Sequence, residues 1–142
     1  MTVRAILDTK GHQIESVEPD ARLSVAIKTL AERKIGAVLV ISQGRIEGIL
    51  SERDIVRALA ERGAGALTEP IARVMTRTQS TCTQSKSVNS VMEQMTAGKF
   101  RHVPVVENEQ LVGIVSIGDV VKHRLTEMER ESEALHEYIQ KA

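Results

Sequence analysis

Gly48-Ile49-Leu50-Ser51-Glu52-Arg53-Asp54 and Gly113-Ile114-Val115-Ser116-Ile117-Gly118-Asp119 carry one pattern twice, 65 residues apart. Working outward from them, the same offset aligns residues 33–57 with 98–122 without a gap. Eight of those 25 pairs are identical: Lys34/Lys99, Val38/Val103, Val40/Val105, Gly48/Gly113, Ile49/Ile114, Ser51/Ser116, Asp54/Asp119 and Val56/Val121. An unrelated pairing gives about one or two, so the chain contains an internal repeat. Further upstream, Leu23, Ala26, Ile27 and Leu30 face Val88, Val91, Met92 and Met95. Two copies of one supersecondary unit fill nearly the whole chain.

The periodicity within a copy names its elements. Leu23, Ala26, Ile27, Leu30 and Ala31 fall at i, i+3, i+4, i+7 and i+8, the apolar stripe of a helix, with Asp20 as its expected N-terminal cap. Residues 35–41 are rich in β-branched side chains and residues 46–50 are apolar. Ser42-Gln43-Gly44-Arg45 lies between them, so the stretch reads as a hairpin. A short strand over residues 13–17 precedes the helix, and a second helix over residues 51–59 ends near Gly63. Each unit is thus β-α-β-β-α, an α/β (α+β) fold. The second copy runs through residues 79–82, 86–97, 101–106, 110–115 and a helix from Ser116. Pro104 has no N–H for a ladder, which predicts a free or irregular side on its strand. Residues 63–70 are small and glycine-bearing and close on Pro70, so they read as the linker. The predicted division is 1–65, 66–125 and a C-terminal helical extension over 126–142. Neither unit of ~60 residues buries enough apolar surface alone, so the two are expected to pack as a pair.

Composition bounds the function. Nineteen basic and nineteen acidic residues cancel, which argues against a general nucleic-acid or anionic-membrane binder. Phe100 and Tyr138 are the sole aromatics, so base-stacking platforms and aromatic cages are excluded. The core must be aliphatic. A lone Cys82 excludes an internal disulfide and points to a reducing compartment. No apolar run approaches the ~18 residues of a membrane span, and Met1-Thr2-Val3-Arg4 opens no signal-peptide core. The expectation is a soluble, cytoplasmic protein.

Two readings of the duplicated motif stand side by side. Ser-x-x-Asp at a helix start is a capping-box variant that satisfies orphan backbone N–H groups and binds nothing. The same geometry also suits a ligand. A glycine at a strand end lets another group approach the backbone, the helix N-terminus favours phosphate, and a carboxylate there matches ribose hydroxyls.

A hydrophobic strand, a short turn, then Gly-Ile-hydrophobic-Ser-x-x-Asp-hydrophobic, twice in tandem, resembles the cystathionine-β-synthase (CBS) domain pair, or Bateman module. The resemblance covers nearly all of residues 1–125. Ser51-Glu52-Arg53-Asp54-Ile55 and Arg101-His102-Val103-Pro104-Val105 look especially like small stand-alone bacterial members. The resemblance implies a non-catalytic adenosyl-ligand sensor whose repeats pack about a pseudo-twofold axis and leave clefts between them. Carried over by motif position, Asp54 and Asp119 would hold ribose hydroxyls, and Ser51 and Ser116 would contact ribose or phosphate. Gly36, Ala37 and Val38, with His102, Val103 and Pro104, would line the adenine pocket. Family ligands include AMP, ADP, ATP, S-adenosylmethionine and NAD(H). Stand-alone members look most like AMP or NAD(H) binders. Such modules usually pair as homodimers and regulate another protein.

The copies also differ. Arg53 in the first faces Gly118 in the second, and Arg101-His102 face Gly36-Ala37. Phosphate requires a cation or several N–H donors, so the two sites are not chemically equivalent. Arg53 and Arg101 are the candidate phosphate ligands, against the alternative that both are solvated surface residues. His102 lacks the accompanying motifs of a nucleophilic triad. Four scattered histidines and one cysteine offer no metal spacing, and no P-loop or Rossmann glycine pattern occurs. Cys82 reads as a small buried hydrophobe. Two rival functions remain: a small nucleotide hydrolase using Asp54 or Asp119, and a structural interaction module with empty clefts. Val121, Leu125, Met128, Ser132, Leu135 and Ile139 form a heptad seam on a final helix from Ser116 to Ile139. It serves either as a tail packed on its own unit or as a contributor to a homodimer.

Overall fold

The computed structural model describes residues 1–77 and 80–141. Two units emerge, one continuous over Ile14–Gln79, the other joining Met1–Gln13 to Ser80–Ala142. In the continuous unit, β1 (Ser16–Val17), α2 (Leu23–Arg33), β2 (Ala37–Ser42), β3 (Arg45–Ser51) and α3 (Glu52–Arg62) follow the predicted β-α-β-β-α order. The discontinuous unit begins with α1 (Val3–Lys10), then α4 (Val88–Gly98), β4 (His102–Glu107), β5 (Gln110–Ser116) and α5 (Ile117–Lys141).

The hairpins are near copies. β2 pairs antiparallel with β3, β4 with β5, and each register shifts once, at Val40/Ile41 and at Val105/Val106. Both turns are two residues with positive φ: Gln43 and Gly44 in the first, Asn108 and Glu109 in the second. That is the primed turn geometry that suits a twisted hairpin. Residues 37–40 are buried without alternation, as in a strand covered on both faces. Both first helices of the repeats close on a lysine in the left-handed region, Lys34 at φ 55 and Lys99 at φ 58. Their backbone N–H groups donate to Leu30 O and Met95 O.

Pro104 explains a difference between the two sheets. In the continuous unit, β1 lies parallel to β2 and Leu39 N–H donates to Glu15 O at 3.3 Å. Pro104 holds the position matching Leu39 and has no N–H to donate. The outer strand of the second copy shrinks to one parallel bridge, Cys82 to Val105, held by Cys82 N–H to Pro104 O and Val106 N–H to Cys82 O. The strand expected over 79–82 is thereby reduced, and Gln79 itself lies outside the described residues.

Three expectations are corrected. Residues 63–70 are no linker: Gly63–Thr68 is a 3-10 helix with Ala66 fully buried. Leu23 N–H donates to Glu69 O, and Ile71 N–H donates to Ala21 O. Small residues there permit close packing rather than freedom. Asp20 does not cap α2; the cap position is Arg22, without a side-chain bond, and Glu69 O satisfies the N–H of Leu23. Finally, residues 1–13 pack with the second repeat rather than with the first, which they precede in the chain. Val3, Ile6 and Leu7 are buried with Val88, Val91, Met95, Val103, Val105 and Val115 of the second. Val3 N–H donates to Lys86 O, Arg4 N–H to Gln84 O, and Val88 N–H to Met1 O. The first repeat is completed instead by Ala66 and Ile71, packed with Leu23, Leu30, Val40 and Leu50.

Candidate functional site

In the continuous unit, one end of the hairpin and the start of α3 converge. Ala37 is in register with Ser51, Val38 with Leu50, and Glu52 N–H donates to Gly36 O at 3.0 Å. These contacts fold Gly36, Ala37 and Val38 against the Ser51–Asp54 turn. Ser51 caps α3: Asp54 N–H donates to Ser51 Oγ at 3.3 Å, and Ser51 N–H donates to Asp54 Oδ2 at 3.0 Å. Ser51 Oγ–H donates to the same Oδ2 at 3.1 Å, and Thr76 Oγ1–H to Oδ1 at 2.9 Å. Asp54 is only 8% exposed, the one buried charged side chain among the described residues. Three donors to the carboxylate, Ser51 N–H, Ser51 Oγ–H and Thr76 Oγ1–H, make burial of that charge tolerable. Arg53 is exposed.

The second copy repeats the frame with a different partner. His102 is in register with Ser116, Val103 with Val115, Pro104 with Ile114, and Ile117 N–H donates to Arg101 O at 2.8 Å. Ser116 N–H donates to Asp119 Oδ2 at 2.9 Å, and Asp119 N–H to Ser116 Oγ at 3.1 Å. Here Lys10, from α1, donates to Asp119 Oδ2 at 2.6 Å and to Ile114 O at 2.8 Å. Burial pushes the Asp119 carboxyl upward, but the Lys10 ammonium and the Ser116 N–H outweigh it and hold the group below the usual carboxylate range. Arg101 is exposed and His102 half-buried.

The predicted residues thus gather at two matching stations, one per unit. Each capping geometry is present as expected. The duplicated glycine has a different reason from close approach by a ligand. A Cβ on Gly48 would stand 2.6 Å from the Thr76 carbonyl oxygen, because residues 75–76 cross the strand there. Ile49 and Thr76 exchange both backbone hydrogen bonds at 2.9 Å. A Cβ on Gly113 would stand 2.7 Å from Leu7 Cδ2, where α1 crosses the second copy. The approaching group is the chain's own leading segment in both cases.

Lys10 and Thr76 are the residues that motif reading missed. One signal was available: Ile6 and Ile71 are identical at the same 65-residue offset, marking a leading segment before each repeat. At that offset Lys10 corresponds to Met75, so a lysine serves one carboxylate where a threonine hydroxyl serves the other.

Beside Asp54, a cavity of about 130 Å³ runs along α3, lined by Arg57, Ala58, Glu61, Arg62, Arg73 and Val74. It is smaller than the 300–1,000 Å³ typical of a whole small-molecule site. Among the described residues no group of three or more histidine, cysteine or carboxylate side chains could hold a metal, and no helix is long and apolar enough to cross a membrane. Cys82 is free and buried, and burial pushes its thiol up to about 11.

Comparison with known proteins agrees with this geometry. The CBS domain profile matches residues 3–61 and again 71–126. A CBS-domain containing protein from Agrobacterium tumefaciens superposes with a TM-score of 0.85 at 45% identity, over 87% of this chain and 99% of that one. The CBS domain protein PAE2072 from Pyrobaculum aerophilum, solved with AMP, superposes at 0.74 with 28% identity, over 84% and 89%. The CBS domain pair of MJ0100, solved with 5-methylthioadenosine and S-adenosyl-L-methionine, superposes at 0.79 with 25% identity, over 89% and 98%. With two profile matches spanning both repeats, and a matching capped carboxylate in each, the chain belongs to the CBS domain family and carries that domain twice.

Proposed function

We propose that this chain is a non-catalytic regulatory module that binds an adenosyl ligand, AMP or NAD(H) in the first instance, at its two Ser-x-x-Asp stations. The observation that carries this reading is the duplicated station itself, in a chain similar to CBS pairs solved with AMP and with methylthioadenosine and S-adenosylmethionine. Asp54 and Asp119 receive ribose hydroxyls, with Ser51 and Ser116 beside them. Gly36, Ala37 and Val38 flank adenine in one copy; His102, Val103 and Pro104 do so in the other. With almost no aromatic side chains, adenine is held by aliphatic groups and backbone. Arg53 and Arg101 are the cations suited to phosphate. The module works as a homodimer in the cytoplasm, and ligand acts by favouring one arrangement over another, to the extent of its differential affinity.

Thermal unfolding with AMP, ADP, ATP, NAD(H) and S-adenosylmethionine tests the reading. A ligand at a hundredfold excess over its Kd stabilises by about 2.7 kcal/mol. Loss of the shift in Asp54→Ala and Asp119→Ala supports the assignment. No shift with any adenosyl ligand favours an interaction module without ligand. Turnover of nucleotide that either substitution abolishes favours a hydrolase.

A further inference from the structure

The distal half of α5 packs on nothing within its own unit: every residue from Met128 to Lys141 is exposed. A lone helical stretch of that length is marginal in water. Its surface is nonetheless not uniformly polar. Val121, Leu125, Met128, Leu135 and Ile139 are 46, 56, 54, 60 and 62% exposed. With Ser132 they recur at alternating steps of four and three, a 3.5-residue period that closes only against another supercoiled helix. Leu125, Ser132 and Ile139 take the a positions of this heptad, and Val121, Met128 and Leu135 the d positions. Val120, fully buried in the core of the unit, anchors the proximal part of the helix and leaves the seam outside.

We infer that the seam is covered by α5 of a second copy, running parallel and in register. Charge decides the orientation. In the parallel pair, Arg124 at g lies opposite Glu129 at e of the second copy, a favourable pair, and Glu131 at g lies opposite His136 at e, with no like charges facing. The antiparallel pair that overlaps the same six positions sets Glu129 against Glu129 and Glu131 against Glu131. Arg124 already donates through Nη1 to Glu127 at 2.9 Å, which holds the guanidinium on the flank of the seam with further donors free for a second carboxylate. In the parallel register Ser132 faces Ser132, so two small hydroxyls meet at the centre and can bond each other. A polar a position of that kind fixes register at a cost in stability.

The inference deepens the homodimer part of the proposed function and rests on it. Its test is disulfide trapping in the full chain, where Cys82 is buried and leaves the introduced thiol as the reporter. Ser132→Cys in a glutathione redox buffer is expected to form a covalent dimer about tenfold faster than Arg130→Cys on the outer flank, because a facing a pair meets the distance limits of a disulfide. Adding Leu135→Asp to Ser132→Cys is expected to abolish the trap while circular dichroism stays that of a folded chain. Equal trapping at the two positions overturns the seam. Preferential mixed dimers between Met128→Cys and Ser132→Cys chains overturn the parallel orientation. A chain that sediments as a dimer but does not trap at Ser132 overturns the seam and leaves the homodimer standing, whereas a monomer overturns both.

Discussion

Lys10 and Asp119 are 109 residues apart in the chain, and their side chains meet at 2.6 Å. This ion pair fastens the leading helix to the capped carboxylate of the second repeat. The groups are 33% and 23% exposed, so solvent screens part of their attraction. Lys10→Met, which recreates the Met75 of the first repeat, is expected to lose about 1 kcal/mol at pH 7. Asp119 releases its proton more readily folded than unfolded. Its contribution is therefore full above the unfolded value of about 3.9 and fades as pH falls through the lower folded value. Urea unfolding at neutral and at strongly acid pH checks this: the gap between parent and Lys10→Met should close in acid.

Gly48→Ala and Gly113→Ala should differ although the positions are equivalent. The new methyl at 48 meets a backbone carbonyl that is itself paired with Ile49, and neither can yield. A loss of about 2–3 kcal/mol is expected. At 113 it meets the end of the Leu7 side chain, which is buried but can be displaced more readily than a paired backbone carbonyl, for a smaller loss of about 1 kcal/mol. Equal losses in chemical denaturation would contradict the account of the crossing segments.

Much of the architecture is legible in the residues because its signals are local. The Leu23, Ala26, Leu30 stripe and the β-branched run before Gln43-Gly44 each need only neighbouring residues to be interpreted. The Ser51/Asp54 and Ser116/Asp119 boxes close within one turn, so their spacing is their geometry. The misreadings share a different cause. Residues 63–70 have the composition of a linker, and only the tertiary burial of Ala66 ties them to the core. Helix α1 spans only eight residues, with Val3, Ile6 and Leu7 buried and no side-chain cap at Thr2, so two turns of pattern and no start signal are all it offers. Lys10 and Thr76 reach their carboxylates from outside the motif, which no spacing within the motif can reveal.

Cys82 should be inert in the folded protein. With its thiol at about 11, the thiolate fraction at pH 8 is about two orders of magnitude below that of a free cysteine near 8.5. Burial slows attack further. Reaction with a disulfide reagent should be slow until denaturant is added and then stoichiometric with one thiol; rapid reaction in native buffer would contradict the burial.

Arg53→Ala and Arg101→Ala separate phosphate from adenosine recognition. Each should weaken AMP by roughly tenfold, about 1.4 kcal/mol, and leave 5-methylthioadenosine, which has no phosphate, unchanged. Titration calorimetry that finds both ligands weakened alike, or neither, would assign the two arginines to solvent.

The exchange of leading segments bears on the order in which the molecule folds. Residues 14–79 contain every buried side chain of their own core, so that unit closes through short loops. The other core needs Val3, Ile6 and Leu7 to return across all of residues 14–79 before it is complete. Closing that span costs more chain entropy, and contacts of long sequence separation form slowly. When the intervening unit has folded first, its compaction shortens the span of free chain that still has to close. Damage to the core of the first repeat should then slow the assembly of a unit that shares none of its buried residues.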